Sequence, residues 1–160
     1  KKLMTLAQLI QLTHPGIPCI YYGDEAGMQG MADPFSRRTY PWGREDMELI
    51  AFHKAAISLR KEYPVLRHGS LKQLYGAYGV LAYGRFDEKE KILVALNNTE
   101  EIRTVSIPVW QMGVQTEGTL QNCLMTNRDG FTVFGFSYPV RNGNVLLSLP
   151  PKSAMAVREI

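Results

Sequence analysis

The chain changes its grammar at Pro64. Beyond it, short runs of strand-forming residues recur at regular spacing: Val80 to Phe86, Lys91 to Asn97, Ile102 to Ile107, Thr119 to Leu124, Val145 to Leu149 and Ala154 to Arg158. Turn signals stand between them at Asp87-Glu88-Lys89-Glu90, Asn97-Asn98, Arg128-Asp129-Gly130 and Asn142-Gly143, the last a type I′ hairpin cue. Regular spacing of this kind predicts an all-β antiparallel sandwich over residues 65–160.

Residues 1–64 read differently. Leu3, Leu6, Ala7 and Ile10 share one helical face and Leu9 and Leu12 widen it, so the first twelve residues are expected to form a helix buried on much of its circumference. It stops at His14-Pro15-Gly16. The chain opens at Lys1 with neither an initiator Met nor an N-cap, as if inside an element. Ile17 to Tyr22 is a continuous apolar run, the pattern of a parallel strand covered on both faces. A helix followed by such a strand predicts an α/β arrangement, and in those folds the loops at the carboxyl ends of strands build the site. Attention therefore falls on the long loop over residues 23–44. A second helix follows, with Glu45, Asp46 and Glu48 in its first turn, Arg60 and Lys61 in its last, and Leu49, Phe52, Ala56, Leu59 and Tyr63 on its buried face.

Composition narrows the function classes. With 160 residues, 45% of them hydrophobic and 21% charged, the chain fits one globular domain or two small ones. No apolar run approaches a membrane span and no leader opens the chain, so a cytoplasmic location without membrane attachment is expected. A net charge of +3 is too thin for a nucleic-acid footprint. Cys19 and Cys123 stand in apolar contexts without a Cys-x-x-Cys partner, which predicts buried free thiols and neither a disulfide framework nor a zinc site.

Adjacent Asp24 and Glu25 are two carboxylates at a strand's carboxyl end, the equipment of glycoside hydrolysis; neighbours point apart, however, and bracing of the loop is the reading they fit better. His14, His53 and His68 lack ligand spacing, and no metal or cofactor is implied. Asp33, Arg37, Arg38, Tyr40 and Trp42 form a more specific cluster. Flat aromatics stack on sugar faces while carboxylate and guanidinium groups hydrogen-bond paired hydroxyls; a salt-bridged surface loop is the competing reading. Trp110, Phe131, Phe134 and Phe136 are either a carbohydrate-binding platform or core. The sequon Asn97-Asn98-Thr99 reads first as a hairpin turn.

The stretch Gly16-Ile17-Pro18-Cys19-Ile20-Tyr21-Tyr22-Gly23-Asp24-Glu25-Ala26-Gly27-Met28 resembles the eighth-strand motif of the alpha-amylase superfamily of glycoside hydrolases. The following Asp33-Pro34-Phe35-Ser36-Arg37-Arg38-Thr39-Tyr40-Pro41-Trp42 is similar to that family's Asp-Pro-x-x-Arg loop, nearest the neopullulanase and cyclomaltodextrinase group. The resemblance covers the whole chain. It implies substrate-binding roles for Asp33, Arg37 and Trp42, with Asp33 and Arg37 lining the non-reducing side of a cleft for α-glucans such as starch, maltooligosaccharides or cyclodextrins. It also implies that residues 1–64 are the end of a catalytic (β/α)8 barrel, a remnant made of the last strand and its flanking helices, and that residues 65–160 are the β-sandwich known as domain C. The family's nucleophile, acid/base and stabilising carboxylates match no residue here and would lie upstream of Lys1.

A fragment of this kind is expected to lack activity by itself and to need partners for its barrel surface. The upstream barrel portion of the same protein, a second copy, or the sandwich itself would serve. Residues 1–63 alone are expected not to form a stable unit. Two other readings remain open: a free-standing carbohydrate-binding module that presents aromatics such as Trp110, and a purely structural accessory domain.

Overall fold

The computed structural model describes residues 2–160, with side chains from Leu3 onward. Three helices, α1 (Lys2–Thr13), α2 (Met47–Glu62) and α3 (Val65–His68), precede nine strands. These are β1 (Ser70–Ala77), β2 (Val80–Phe86), β3 (Lys91–Asn97), β4 (Arg103–Ile107), β5 (Gly118–Asn127), β6 (Gly130–Thr132), β7 (Ser137–Arg141), β8 (Asn144–Leu149) and β9 (Ser153–Glu159).

The strands form one antiparallel sheet in the order β1-β2-β3-β9-β5-β7-β8-β4, with β6 added on β5. Leu74 and Val80 from one end of that order share a core with Val105, Ile107, Val145 and Leu147 from the other end. The sheet is therefore curled on itself into a near-barrel. The expected pair of sandwiched sheets is replaced by a single one whose halves face each other across the core.

A second core lies on the outer face. Leu6, Leu9 and Leu12 of α1 and Phe52, Ala56 and Leu59 of α2 pack there against Tyr83, Ile92, Val94, Leu96, Ala154 and Ala156. The central strands are thus covered on both sides, and β3 is buried at six consecutive positions, Ile92 to Asn97. That double cover explains why Ile92-Leu93-Val94-Ala95-Leu96 is an unbroken apolar run in an antiparallel sheet. In β5 the pairing with β9 shifts between Asn122 and Leu124. One extra residue, Cys123, inverts the alternation, so Leu120 faces the inner core and Leu124 the helices.

Three expectations are corrected. Ile17 to Tyr22 forms no strand: Ile17 is 98% exposed, Tyr21 and Tyr22 are exposed, and turns begin at Tyr22. Among the described residues no strand lies beside it, and a parallel strand without neighbours has neither a ladder nor cover for its two faces. The expected remnant of a (β/α)8 barrel is therefore not evident among the described residues: α1 and α2 are formed, but they pack on the β-domain with no strand between them. Cys19, on the same segment, is exposed rather than buried, and Cys123 is half-buried.

Helix α2 begins as its sequence directs. Asp46 accepts a hydrogen bond from the Leu49 amide at 3.0 Å, capping the helix, and Tyr63 and Pro64 end it.

Candidate functional site

The loop over residues 23–44 starts from a compact turn. The Gly23 carbonyl accepts from Ala26 N at 3.1 Å and Met28 N at 2.9 Å. Gly23 has φ +91°, and a Cβ there would lie 2.2 Å from Met28 Sδ, so this turn requires glycine. Glu25 Oε2 accepts from the Gly23 amide at 3.0 Å. Its carboxylate also faces Tyr40, whose phenol is pushed above its ordinary range by desolvation and then by Glu25. Glu25 thus braces its own loop. The Asp46 amide, at the start of α2, donates to the Ala26 carbonyl at 3.1 Å and ties the turn to the helical layer.

On this base the loop presents an ion pair. Arg37 Nη2 donates to Asp33 Oδ2 at 2.9 Å and Nε lies 2.9 Å from Oδ1, a two-point geometry, while Ser36 Oγ donates to Oδ1 at 3.0 Å. Both side chains are more than half exposed. The guanidinium is therefore fixed in direction yet open to solvent. Trp42, 80% exposed, belongs to a separate contact: its ring centroid lies 4.6 Å from that of Tyr40. Arg38 is held by its main chain, its carbonyl accepting from the Tyr22 hydroxyl at 2.8 Å. The loop thus makes two presented groups, Asp33 with Arg37 and Tyr40 with Trp42.

Two buried arginines join the helices to the sheet; the sequence marks Arg60 only as a charge in the last turn of its helix and does not single out Arg85. Arg85 of β2 is fully buried and donates to the carbonyls of Leu66 at 2.8 Å, Gly69 at 2.9 Å, Val65 at 3.0 Å and Ser70 at 3.3 Å, and to that of Thr13. Arg60 of α2 donates to Gly16 at 2.5 Å, Leu12 at 2.8 Å, Leu66 at 2.9 Å and His14 at 3.0 Å. Among the described residues no carboxylate pairs with either. The carbonyls at the ends of α1 and α3, the negative ends of helix dipoles, take that role. Burial pulls both guanidinium groups below the ordinary arginine range, Arg85 further through Arg60 and Arg60 further through Arg67. The available signal was parity, since alternation along β2 puts Arg85 on the helix-facing side with Tyr83.

The histidines are scattered. His53 is buried, with Nδ1 2.8 Å from the Leu49 carbonyl, and His14 packs edge-on against Tyr83. Among the described residues no three His, Cys, Asp or Glu side chains gather into a group able to hold a metal ion. No helix of the described residues is long and apolar enough to cross a membrane.

A curled antiparallel sheet with two helices packed on its outer face is a β-domain carrying an α-helical lead. Residues 69–146 match the family described as Alpha-amylase C-terminal domain. An amylopullulanase of Thermoanaerobacterium thermosulfurigenes is 32% identical over 95% of this chain and 8% of its own length. A cyclomaltodextrinase of a Bacillus species is 40% identical over 66% of this chain and 20% of its own. The solved alpha-amylase of Geobacillus thermoleovorans, complexed with acarbose, superposes with a TM-score of 0.84 over 99% of this chain and 33% of that one, at 28% identity. The chain belongs to the alpha-amylase superfamily and carries that superfamily's C-terminal domain. It spans a fifth or less of those two curated relatives.

Proposed function

We propose that the chain is the C-terminal portion of a retaining hydrolase of α-glucans, in which residues 1–64 close the catalytic barrel and residues 65–160 form domain C. In the complete enzyme the extended segment from Ile17 to Tyr22 gains strand neighbours, and the exposed faces of Leu3, Ile17 and Tyr21 are covered by the upstream barrel or by a second copy. Domain C is structural in this reading. Its outer face seats α1 and α2 and so fixes the loop that follows them.

The observation that carries this reading is the exposed, two-point Asp33–Arg37 pair. A carboxylate that aligns a guanidinium without burying it leaves N–H donors and a carboxylate edge for neighbouring hydroxyls of a sugar. Trp42 supplies a flat face for stacking. None of these groups is a nucleophile or a proton donor poised on a scissile bond. The chain's part in the reaction is to bind and orient the non-reducing end of a starch, maltooligosaccharide or cyclodextrin substrate, and the catalytic carboxylates belong to the upstream barrel.

Arg37→Ala in the complete enzyme tests this. Loss of a charged hydrogen bond to substrate weakens binding by about 1.5 to 3 kcal/mol, and Asp33→Ala behaves similarly. The expected loss in kcat/KM is roughly 10- to 100-fold across maltooligosaccharides. A loss under about 1 kcal/mol, the range of a surface ion pair, at every chain length overturns the assignment.

A further inference from the structure

Beside the Asp33–Arg37 pair, the same loop carries two further arginines that share a cavity. Arg38 and Arg44 line a space of about 400 Å³ with Met28, Gln29, Thr39 and Pro41, and none of these six residues is an acid. Both arginines are exposed, and among the described residues neither guanidinium has an ion pair or a hydrogen bond. Three acids of the same region serve elsewhere: Asp33 holds Arg37, Glu25 accepts from the Gly23 amide, and Asp46 caps α2. A lone exposed arginine is ordinary on a surface. Two that share a concavity with no carboxylate on its wall focus a positive potential there.

The main chain that carries the cavity is held at three points. The Arg38 carbonyl accepts from the Tyr22 hydroxyl at 2.8 Å, the Arg44 amide donates to the Pro41 carbonyl at 2.8 Å, and the Met28 amide donates to the Gly23 carbonyl at 2.9 Å. Gly43 takes φ +75° within the Pro41–Arg44 turn, a left-handed conformation that suits glycine. A ligand gripped by the two guanidinium groups therefore orders side chains and little else.

The Asp33–Arg37 pair shows what a carboxylate takes, since both of its oxygens face one guanidinium. A group with more oxygens and a second charge is needed to engage two. A phosphoryl group has three acceptor oxygens and about −1.5 to −2 charge at pH 7, and the planar fork of arginine matches it. The Thr39 hydroxyl and the Gln29 amide add neutral donors on the same wall. The volume is that of a small-molecule site and leaves room for a body attached to the phosphate. We infer that Arg38 and Arg44 form a binding site for a phosphoryl group, carried on a sugar or taken as the free ion. That the sugar would be a glucose unit rests on the proposed function; the need for a multiply charged oxyanion does not.

Calorimetric titration of the 160-residue chain with glucose 6-phosphate and with inorganic phosphate, in dilute buffer, tests the site, with glucose as the uncharged control. Saturable one-to-one binding of a phosphate compound is expected, and none of glucose at the same concentrations. Tighter binding of glucose 6-phosphate identifies the ester as the ligand, equal or tighter binding of inorganic phosphate identifies the free ion, and either supports the site. Arg38→Ala and Arg44→Ala are each expected to weaken binding at least tenfold with the unfolding midpoint in place, because both side chains are exposed. Arg141→Ala removes an exposed arginine of β7 that lines no part of the cavity and should leave binding unchanged. The inference is overturned if neither phosphate compound binds, if glucose binds as tightly, if either arginine variant binds as well as wild type, or if Arg141→Ala weakens binding equally. Any of these failures beside a large loss in the Arg37→Ala enzyme leaves the proposed function standing. Binding here beside no such loss removes that function and keeps the site.

Discussion

The Tyr83 hydroxyl lies 2.6 Å from Thr13 Oγ1, joining the second strand of the β-domain to the last turn of a helix seventy positions earlier in the chain. Thr13 Oγ1 also donates to the Leu9 carbonyl at 2.6 Å, so it accepts from the phenol. Both residues are buried. Tyr83→Phe removes one buried hydrogen bond without a cavity and is expected to cost about 1 kcal/mol, read as a lower midpoint in urea unfolding.

The same phenol makes stability depend on alkali. Burial pushes Tyr83 up to about 12, against 10 for a free phenol. A group whose folded value is raised contributes stability that is complete below the unfolded value and is lost as pH climbs to the folded one. Stability is therefore expected to fall between about pH 10 and 12. Tyr83→Phe should flatten that fall without abolishing it, since Tyr63 is also raised, first by burial and then by Cys123. Urea midpoints for both proteins from pH 9 to 12 check this, and parallel curves would contradict it.

Arg85 should be among the most costly side chains to remove. Arg85→Met takes the guanidinium from the carbonyls of Thr13, Val65, Leu66 and Gly69, of which Leu66 keeps Arg60 and Val65 keeps the Gly69 amide, and the expected loss is about 3 to 5 kcal/mol. Arg85→Lys keeps the charge but not the planar fan of donors, and rescues less than half. Equilibrium unfolding of the three proteins measures the difference.

Asp33 and Arg37 should behave in the opposite way. Their pair is exposed, so Asp33→Ala or Arg37→Ala is expected to change the stability of this chain by less than about 1 kcal/mol. A large loss of stability would mean that the pair holds the loop together rather than presenting it.

Limited proteolysis separates covalent from non-covalent attachment. The loop between Gly27 and Gly43 is mostly exposed and should be cut first. The released amino-terminal peptide should nevertheless travel with the rest in gel filtration, because Leu6, Leu9 and Leu12 sit in the outer core and Arg85 and Arg60 hold the end of α1. Dissociation of that peptide in native buffer would contradict the two-core packing.

How much of this was legible in the sequence depends on what each element needs from its surroundings. The bounds of β2 and β3, Val80–Phe86 and Lys91–Asn97, follow from local pattern, because strand-forming residues there end at turn residues. β1 was missed: Ser70-Leu71-Lys72-Gln73 is exposed and polar, and it is a strand through its pairing with β2 alone. β7 was missed because Pro139 lies inside it. Ile17 to Tyr22 has the pattern of a buried parallel strand, but a strand is a relation between segments and its partners are not among the described residues. For the loop, the residue types of Asp33, Arg37, Tyr40 and Trp42 were readable, and their division into two pairs was not. The anchoring role of Arg60 and Arg85 was not legible for a plain reason: their acceptors are main-chain carbonyls, which every residue carries.

In the function proposed, this chain orients a glucan and seats the barrel while the bond-breaking carboxylates lie elsewhere. Reducing-sugar release from starch, pullulan and cyclodextrin tests that division most directly, comparing the purified 160-residue chain with the same chain joined to its upstream barrel. No turnover is expected from the chain alone, and turnover is expected from the joined protein. Turnover by the chain alone that disappears in Glu25→Ala would contradict the division, and would place the chemistry on the adjacent carboxylates of the loop.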